Sequence, residues 1–191
     1  MKKVLITGGA GFIGSSLAIK LKSNHKVHVF DFKKKINKIK SKLKGCKTIA
    51  GDIKKVSSFK KLDKDYDLVF HLAAKTSSSV AESQPDECFE NNVIGAYNLI
   101  NWINEIKPKC LVFSSSMSVY GRIANKISEN YLCKPISVYG KSKLLGEKIF
   151  KVMTNIETKL VILRLFNVYG PNQDFNNLKQ GMLSVSYTHL R

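Results

Sequence analysis

The amino-acid sequence predicts an α/β protein built on a doubly wound parallel sheet of about six strands. Short apolar runs alternate with longer amphipathic stretches along the chain, which is typical of β-α-β units. Two of the runs, 68–74 and 111–113, are almost wholly apolar, as strands are when helices cover both faces of a sheet. With 191 residues the chain can bury one sizeable core, and a second complete domain does not fit.

The expected elements follow one another in the order that this fold requires. The predicted strands are residues 2–7, 26–31, 47–52, 68–74, 110–116 and 160–166. The predicted helices are 12–21, a short segment near Val56, a long stretch over 85–106, and 138–153. A lysine-rich connection follows the second strand, and a loop separates the fifth strand from the last helix.

The chain has a formal net charge of +18 at pH 7, which raises the possibility of an anionic partner. Lysine supplies 29 of the 32 basic residues, whereas surfaces that read bases favour arginine for its bidentate geometry. The lysines between 20 and 64 show no pattern of interleaved aromatic residues for base stacking. We therefore expect a solvated lysine-rich face and no specific nucleic-acid partner, with a weak basic patch as the alternative.

Membrane and metal partners are not expected either. No apolar run approaches the roughly 20 residues of a membrane span, and the first apolar segment leads into glycines, which favours a cytoplasmic protein. The histidines share no spacing with acids or cysteines, and His71 is expected in the core. No CxxC pair occurs, so reduced thiols are expected at Cys46, Cys88, Cys110 and Cys133.

A glycine-rich segment joins the first predicted strand to the first helix. Gly8, Gly11 and Gly14 lie where backbone N–H groups and the helix N-terminus can approach a pyrophosphate. Taken alone, the glycines would also fit a tight turn, but the strand before them and the helix after them favour a dinucleotide. The residues expected to contact the cofactor here are Gly8, Gly11, Phe12, Ile13 and Gly14.

Asp31 ends the second predicted strand, 17 residues beyond Gly14. A carboxylate at this place accepts hydrogen bonds from the adenosine ribose and repels a 2′-phosphate. The pattern therefore predicts NAD as cofactor in preference to NADP. Lysines 33–35 could weaken this preference, although a solvated lysine run is the commoner explanation.

Three further motifs follow the GxxGxxG glycines: GDI at 51–53, HLAA at 71–74 and NVIGAYNLI at 92–100. Together they make the chain resemble the extended short-chain dehydrogenase/reductase family, in particular its NAD-dependent sugar-nucleotide epimerases and dehydratases. The resemblance covers residues 1 to about 184. It implies a nucleotide-sugar substrate, a homodimer, and cofactor contacts from Asp52, Ile53, Ala73 and Ala74.

Tyr139 and Lys143 are four residues apart, so they share one face of the last predicted helix. A neighbouring ammonium is expected to lower the pKa of the phenol and so favour the phenolate. Ser116 ends the fifth predicted strand, at the carboxyl edge where α/β folds place ligands. Taken alone, the tyrosine and lysine could be a solvated pair, and the serine could cap a turn.

The resemblance assigns Tyr139 as the acid/base, Lys143 as its tuner and a cofactor-ribose ligand, and Ser116 as the partner of the substrate oxygen. It also places Asn167 where relatives bind the substrate diphosphate. Related dehydratases have an Asp and a Glu after the catalytic hydroxyl, whereas this chain has Met117 and Ser118. Dehydration is therefore disfavoured, and epimerisation at C4 of a UDP-hexose through transient oxidation is expected.

The resemblance also predicts the domain organisation. Residues 1–170 are expected to form an NAD-binding Rossmann domain that contains the catalytic groups, and 171–191 to begin a substrate-binding region. From about residue 186 the sequence departs from the family pattern, which fits either a non-native tail on a truncated chain of doubtful activity or a divergent short loop. Two alternative functions remain: a reductase with the same Tyr/Lys pair, and a non-catalytic dinucleotide-binding module.

Overall fold

The computed structural model describes residues 1–76, 78–123, 126–171 and 173. Its six strands are all parallel and form one sheet in the order β3-β2-β1-β4-β5-β6. The strands are β1 (Lys3–Thr7), β2 (Lys26–Asp31), β3 (Lys47–Ala50), β4 (Leu68–His71), β5 (Cys110–Ser116) and β6 (Lys159–Leu165). The predicted doubly wound sheet is confirmed, and the strand order reverses between β1 and β4, where such sheets open a ligand crevice.

The helices that connect the strands are α1 (Phe12–Leu21), α2 (Lys33–Lys38), α3 (Val56–Phe59), α4 (Ser78–Ser83), α5 (Pro85–Phe89), α6 (Gly95–Ile106) and α7 (Val138–Met153). α1 and α7 have the predicted bounds. The long helix predicted over 85–106 is instead divided by a π-helical turn, Glu90–Ile94, between α5 and α6. A short helix also occupies part of the lysine-rich connection, and the strand predicted over 68–74 ends at His71.

Hydrophobic clusters cover both faces of the sheet, as the apolar strands predict. Successive residues of β1 alternate between them: Leu5 joins one cluster, and Val4 and Ile6 join the other. The first cluster packs beneath α6 and α7, and the second beneath α1. Because α7 rests on the first cluster, its side chains are held against the end of β5. Among the described residues, every helix is too short or too polar to cross a membrane.

Candidate functional site

The chain turns so tightly between β1 and the first turn of α1 that Gly8 in the loop and Gly14 in the helix have no room for a side chain. Gly8 has φ +70°, and a Cβ there would lie 2.5 Å from the backbone nitrogen of Ala73. A Cβ on Gly14 would collide with the carbonyl oxygen of Gly8 and lie 2.7 Å from Cα of Gly9. Gly11 differs, because its Cβ would meet only the Gly8 oxygen, at 3.2 Å. One side of Gly11 is thus open to a ligand that approaches the start of α1.

Asp31 lies beside this loop at the end of β2, and its side chain is buried. The backbone N–H of Ala10 donates to its Oδ2 at 3.0 Å, and that of Phe32 donates to Oδ1 at 2.8 Å. Each carboxylate oxygen can accept a further hydrogen bond, so the pair of ribose hydroxyls that NAD offers fits this position. Nζ of Lys35, about half exposed, lies 4.0 Å from Oδ1 and offsets part of its charge.

The loops that follow β3 and β4 begin at the same edge of the sheet as the loop that follows β1, because the strands are parallel. Oδ1 of Asp52 accepts the backbone N–H of Lys54 at 2.9 Å, which fixes the carboxylate within its own turn. Ile53 is buried and faces Gly95, where a Cβ would lie 2.6 Å from its Cδ1. Ala73 reaches this edge through the backbone contact with Gly8 described above, and Ala74 follows it. The structure therefore brings these residues to the same edge of the sheet as the glycine segment, and their contacts with a cofactor stay a prediction.

Ser116 ends β5 and starts a 3₁₀ turn, Met117–Val119. Its Oγ accepts the backbone N–H of Ser118 at 3.2 Å, so the serine caps a turn, which is the role expected of it when it is considered alone. Tyr139, in the first turn of α7, lies close enough to Ser116 for the serine hydroxyl to lower the pKa of the phenol. Ser137 caps that helix, because the N–H of Gly140 donates to its Oγ at 3.0 Å. Capping thus places the phenol opposite the end of β5.

Lys143 is almost completely buried, one turn of α7 after Tyr139, and its Nζ lies 4.5 Å from the ring centroid of Phe113. Burial lowers the pKa of Lys143 to about 7, although Cys88 and Glu147 act in the opposite direction. His71, beneath the site, is buried as predicted, and burial and then the charge of Lys143 lower its pKa to about 3. Lys143 is therefore poised to gain or lose a proton near neutral pH.

The expectation that the ammonium of Lys143 lowers the pKa of Tyr139 is wrong for this structure. Burial raises the pKa of Tyr139 above its ordinary value, and the opposing influence is the hydrogen bond from Ser116. The physical reason is that the phenol and the amine are both desolvated, so each of them favours its neutral form. Sequence spacing placed the two groups on one helix face but carried no information about their burial.

Asn92 is a buried residue of this site to which the sequence assigned no role. It lies in the π-helical turn, where its Nδ2 donates to Oγ of Ser142 at 2.9 Å and to the carbonyl oxygen of Lys75 at 3.0 Å. Its Oδ1 accepts the backbone N–H of Lys75 at 2.8 Å. The amide therefore ties the loop after β4 to α7. Its place at the start of the NVIGAYNLI motif was the signal that could have revealed it.

Asn167 lies two residues beyond β6 and is exposed, and its contact with a substrate diphosphate stays a prediction. The region expected to begin substrate binding, 171–191, lies outside the described residues apart from Pro171 and Gln173. The described part of the chain contains no group of histidine, cysteine, aspartate or glutamate residues that could hold a metal ion.

The strand order, the glycine cradle with its acidic residue, and the Ser/Tyr/Lys set define a dinucleotide-binding protein of the short-chain dehydrogenase/reductase type. Over residues 4–190 the chain matches the NAD dependent epimerase/dehydratase family, and it belongs to that family. The resemblance inferred from the motifs is thereby confirmed.

Several similar proteins are UDP-glucose 4-epimerases. The enzyme of Mycoplasma genitalium is 37% identical over 187 residues, which cover 92% of this chain and 55% of that one. The enzyme of Lactobacillus helveticus is 35% identical over 178 residues, covering 90% of this chain and 53% of that one. The chain thus spans a little over half the length of these relatives.

Solved structures show the same likeness. UDP-glucose 4-epimerase of Thermotoga maritima, solved with UDP-glucose, has a TM-score of 0.83 at 28% identity, covering 96% of this chain and 61% of that one. UDP-glucuronic acid 4-epimerase of Bacillus cereus, in complex with NAD, has a TM-score of 0.76 at 33% identity, covering 91% of this chain and 60% of that one. The NAD dependence of the family and this NAD-bound neighbour confirm NAD as the cofactor.

Proposed function

We propose that this chain is the NAD-binding and catalytic part of an enzyme that epimerises a UDP-hexose at C4. The observation that carries the proposal is the position of Tyr139, whose half-buried phenol lies beside Ser116 at the carboxyl edge of the sheet, next to the glycine segment and Asp31. The similarity to UDP-sugar 4-epimerases supports the substrate class. Residues 1–170 are the proposed NAD-binding unit, and later residues and a second copy of the chain are proposed to complete the enzyme.

The proposed reaction begins with oxidation of the sugar at C4. When bound, NAD supplies the acceptor and later the donor of a hydride. The C4 hydroxyl gives its proton to the phenolate oxygen of Tyr139 as the C4–H bond breaks, which leaves a ketone at C4. The ketone turns its other face to the site, and C4 regains a hydride while Tyr139 returns the proton to the oxygen. The configuration at C4 is then inverted with no net redox change.

Tyr139 must lose its own proton before it can accept that of the sugar. The hydrogen bond from Ser116 lowers the pKa of Tyr139 against burial and so acts in the required direction. Lys143, when protonated, adds a positive charge on the same helix face, and its ammonium can also donate to ribose hydroxyls of NAD. We assign Gly8, Gly11 and the start of α1 to the pyrophosphate and Asp31 to the adenosine ribose.

The residues after Ser116 disfavour the elimination of water. Met117 and Ser118 form the 3₁₀ turn, and neither side chain is an acid or base of the strength that elimination requires. Epimerisation needs no such pair, because Tyr139 both accepts and returns the proton. This difference favours an epimerase over a dehydratase within the family.

A substitution of Tyr139 tests the proposal in a hybrid enzyme, in which residues 1–170 are joined to the C-terminal remainder of the Mycoplasma genitalium UDP-glucose 4-epimerase. We expect Tyr139→Phe to lower the interconversion of UDP-glucose and UDP-galactose on the order of a hundredfold or more, with NAD affinity nearly unchanged. Tyr97→Phe is the matched control, because Tyr97 is exposed and lies on α6, on neither β5 nor α7. Unchanged turnover of the Tyr139→Phe hybrid would show that the acid/base is a different group.

A further inference from the structure

An ion pair between a buried glutamate and a partly buried arginine joins α7 to the edge of the sheet one helical turn beyond Lys143. Glu147 is 1% exposed, and Arg164 of β6 binds both of its oxygens: Nε lies 2.9 Å from Oε1, and Nη2 lies 2.8 Å from Oε2. Oγ of Ser115 donates to the same Oε1 at 2.6 Å. Ser115 directly precedes Ser116 in β5. One carboxylate therefore connects the helix that carries Tyr139 to the strand that carries Ser116.

The arginine extends this connection to the loop between β5 and α7. Its guanidinium carbon lies 4.8 Å from the ring centroid of Tyr120, and its Nη1 donates to the carbonyl oxygen of Glu129 at 2.9 Å. Three donors of one guanidinium are thus fixed in a planar arrangement. Buried ion pairs stabilise proteins little compared with apolar residues of the same volume, because both charges lose their hydration. In some proteins such a pair instead fixes one geometry among several.

Glu147 also sets the charge around Lys143. The titratable groups that act on Lys143 are the thiol of Cys88 on α5 and Glu147 on its own helix, while His71 on β4 feels the charge of Lys143. His71 stays neutral near pH 7, since its pKa is lowered to about 3. Glu147 is ionised, because Arg164 and Ser115 lower its pKa against the effect of burial. It is therefore the carboxylate that favours the ammonium form of Lys143.

We propose that the Glu147–Arg164 pair is a positioning device for the catalytic groups. It holds α7 against β5 and β6, so that Tyr139 and Lys143 keep their spacing from Ser116, and it places a fixed negative charge one turn from Lys143. This inference rests on the proposed function, because the spacing matters only if Tyr139, Lys143 and Ser116 carry out the reaction. Its electrostatic part concerns Lys143 alone and is measurable without turnover.

The test is the titration of Lys143 in the 191-residue chain, followed by NMR of its labelled Cε, with the signal assigned by its loss in Lys143→Arg. In Glu147→Gln the negative charge is gone, and the midpoint of the Lys143 titration moves to lower pH. In Arg164→Gln the charge of Glu147 is no longer balanced, and the midpoint moves to higher pH. Both variants lose the same ion pair, so a purely structural role predicts shifts in the same direction.

Asn104→Ala is the control for a loss of stability without a change of charge. Nδ2 of Asn104 donates to the carbonyl oxygen of Met153 at 2.9 Å, so this substitution loosens the far end of α7. It lowers the urea midpoint of unfolding and leaves the Lys143 titration in place. An unchanged midpoint in Glu147→Gln overturns the proposal, and so does an unchanged or lowered midpoint in Arg164→Gln, whether or not the Glu147 variant folds. Failure of the parent chain to bind NAD would instead contradict the proposed function.

Discussion

The glycine loop offers two substitutions that separate the packing of the loop from cofactor binding. A methyl group on Gly14 collides with the carbonyl oxygen of Gly8 and lies 2.7 Å from Cα of Gly9, and neither backbone atom can rotate away. Overpacking of this kind costs on the order of 1–3 kcal/mol of unfolding free energy. A methyl group on Gly11 meets only the Gly8 oxygen at 3.2 Å, and Gly11 has φ −79°, which alanine adopts freely. We expect Gly11→Ala to cost less than about 1 kcal/mol.

Cofactor binding should respond differently to the two changes. Gly11→Ala places a methyl group on the open side of the loop, where the pyrophosphate of NAD is proposed to approach, and we expect at least about tenfold weaker binding, or about 1.4 kcal/mol. Urea unfolding reports stability, and calorimetric titration with NAD reports affinity. If Gly11→Ala bound NAD as the parent chain does, the pyrophosphate would not lie at this loop. If Gly14→Ala were as stable as the parent, the described loop geometry would be wrong.

The remaining predictions concern cofactor choice and pH. Asp31→Ala should narrow the preference for NAD over NADP, because the carboxylate that repels a 2′-phosphate is gone. If calorimetry showed that the parent chain binds NAD and NADP equally well, Lys35 and its neighbours would determine cofactor choice. The pKa of Lys143 is lowered from 10.5 to about 7 on folding, so the unfolded chain binds more protons between these values and stability rises with pH there. Lys143→Met should therefore raise the free energy of unfolding most at pH 7 and below, and this gain should shrink towards pH 10. If urea unfolding showed the same gain at every pH, the claim that Lys143 is a buried, titrating amine would be contradicted.

The sequence predicted the elements whose signals are local. α7 has the predicted bounds, with Ser137 as its cap, and the glycine loop lies between β1 and α1 as its spacing indicates. The alternation of apolar runs and amphipathic stretches predicted a doubly wound parallel sheet, and the six strands form one. These features depend on neighbours in the chain, which a sequence displays directly.

The features that the sequence did not reveal depend on residues far apart in the chain. Asn92 finds its partners in the loop after β4 and on α7, and Glu147 finds Arg164 on the adjacent strand. The direction of the Tyr139 pKa depends on how completely the fold buries the phenol, and a spacing of four residues does not show this. A π-helical turn likewise has no distinct sequence signature, so one long helix was predicted where the chain forms two.

We propose that the site oxidises C4 of a nucleotide sugar and returns the same hydrogen to it. UDP-galactose that carries deuterium at C4 tests this claim when the hybrid enzyme converts it in ordinary water. Mass spectrometry and NMR of the product should show UDP-glucose with deuterium retained at C4, because the hydride never exchanges with solvent. Product with hydrogen from water at C4 would show that the carbon is deprotonated instead, and would contradict the account.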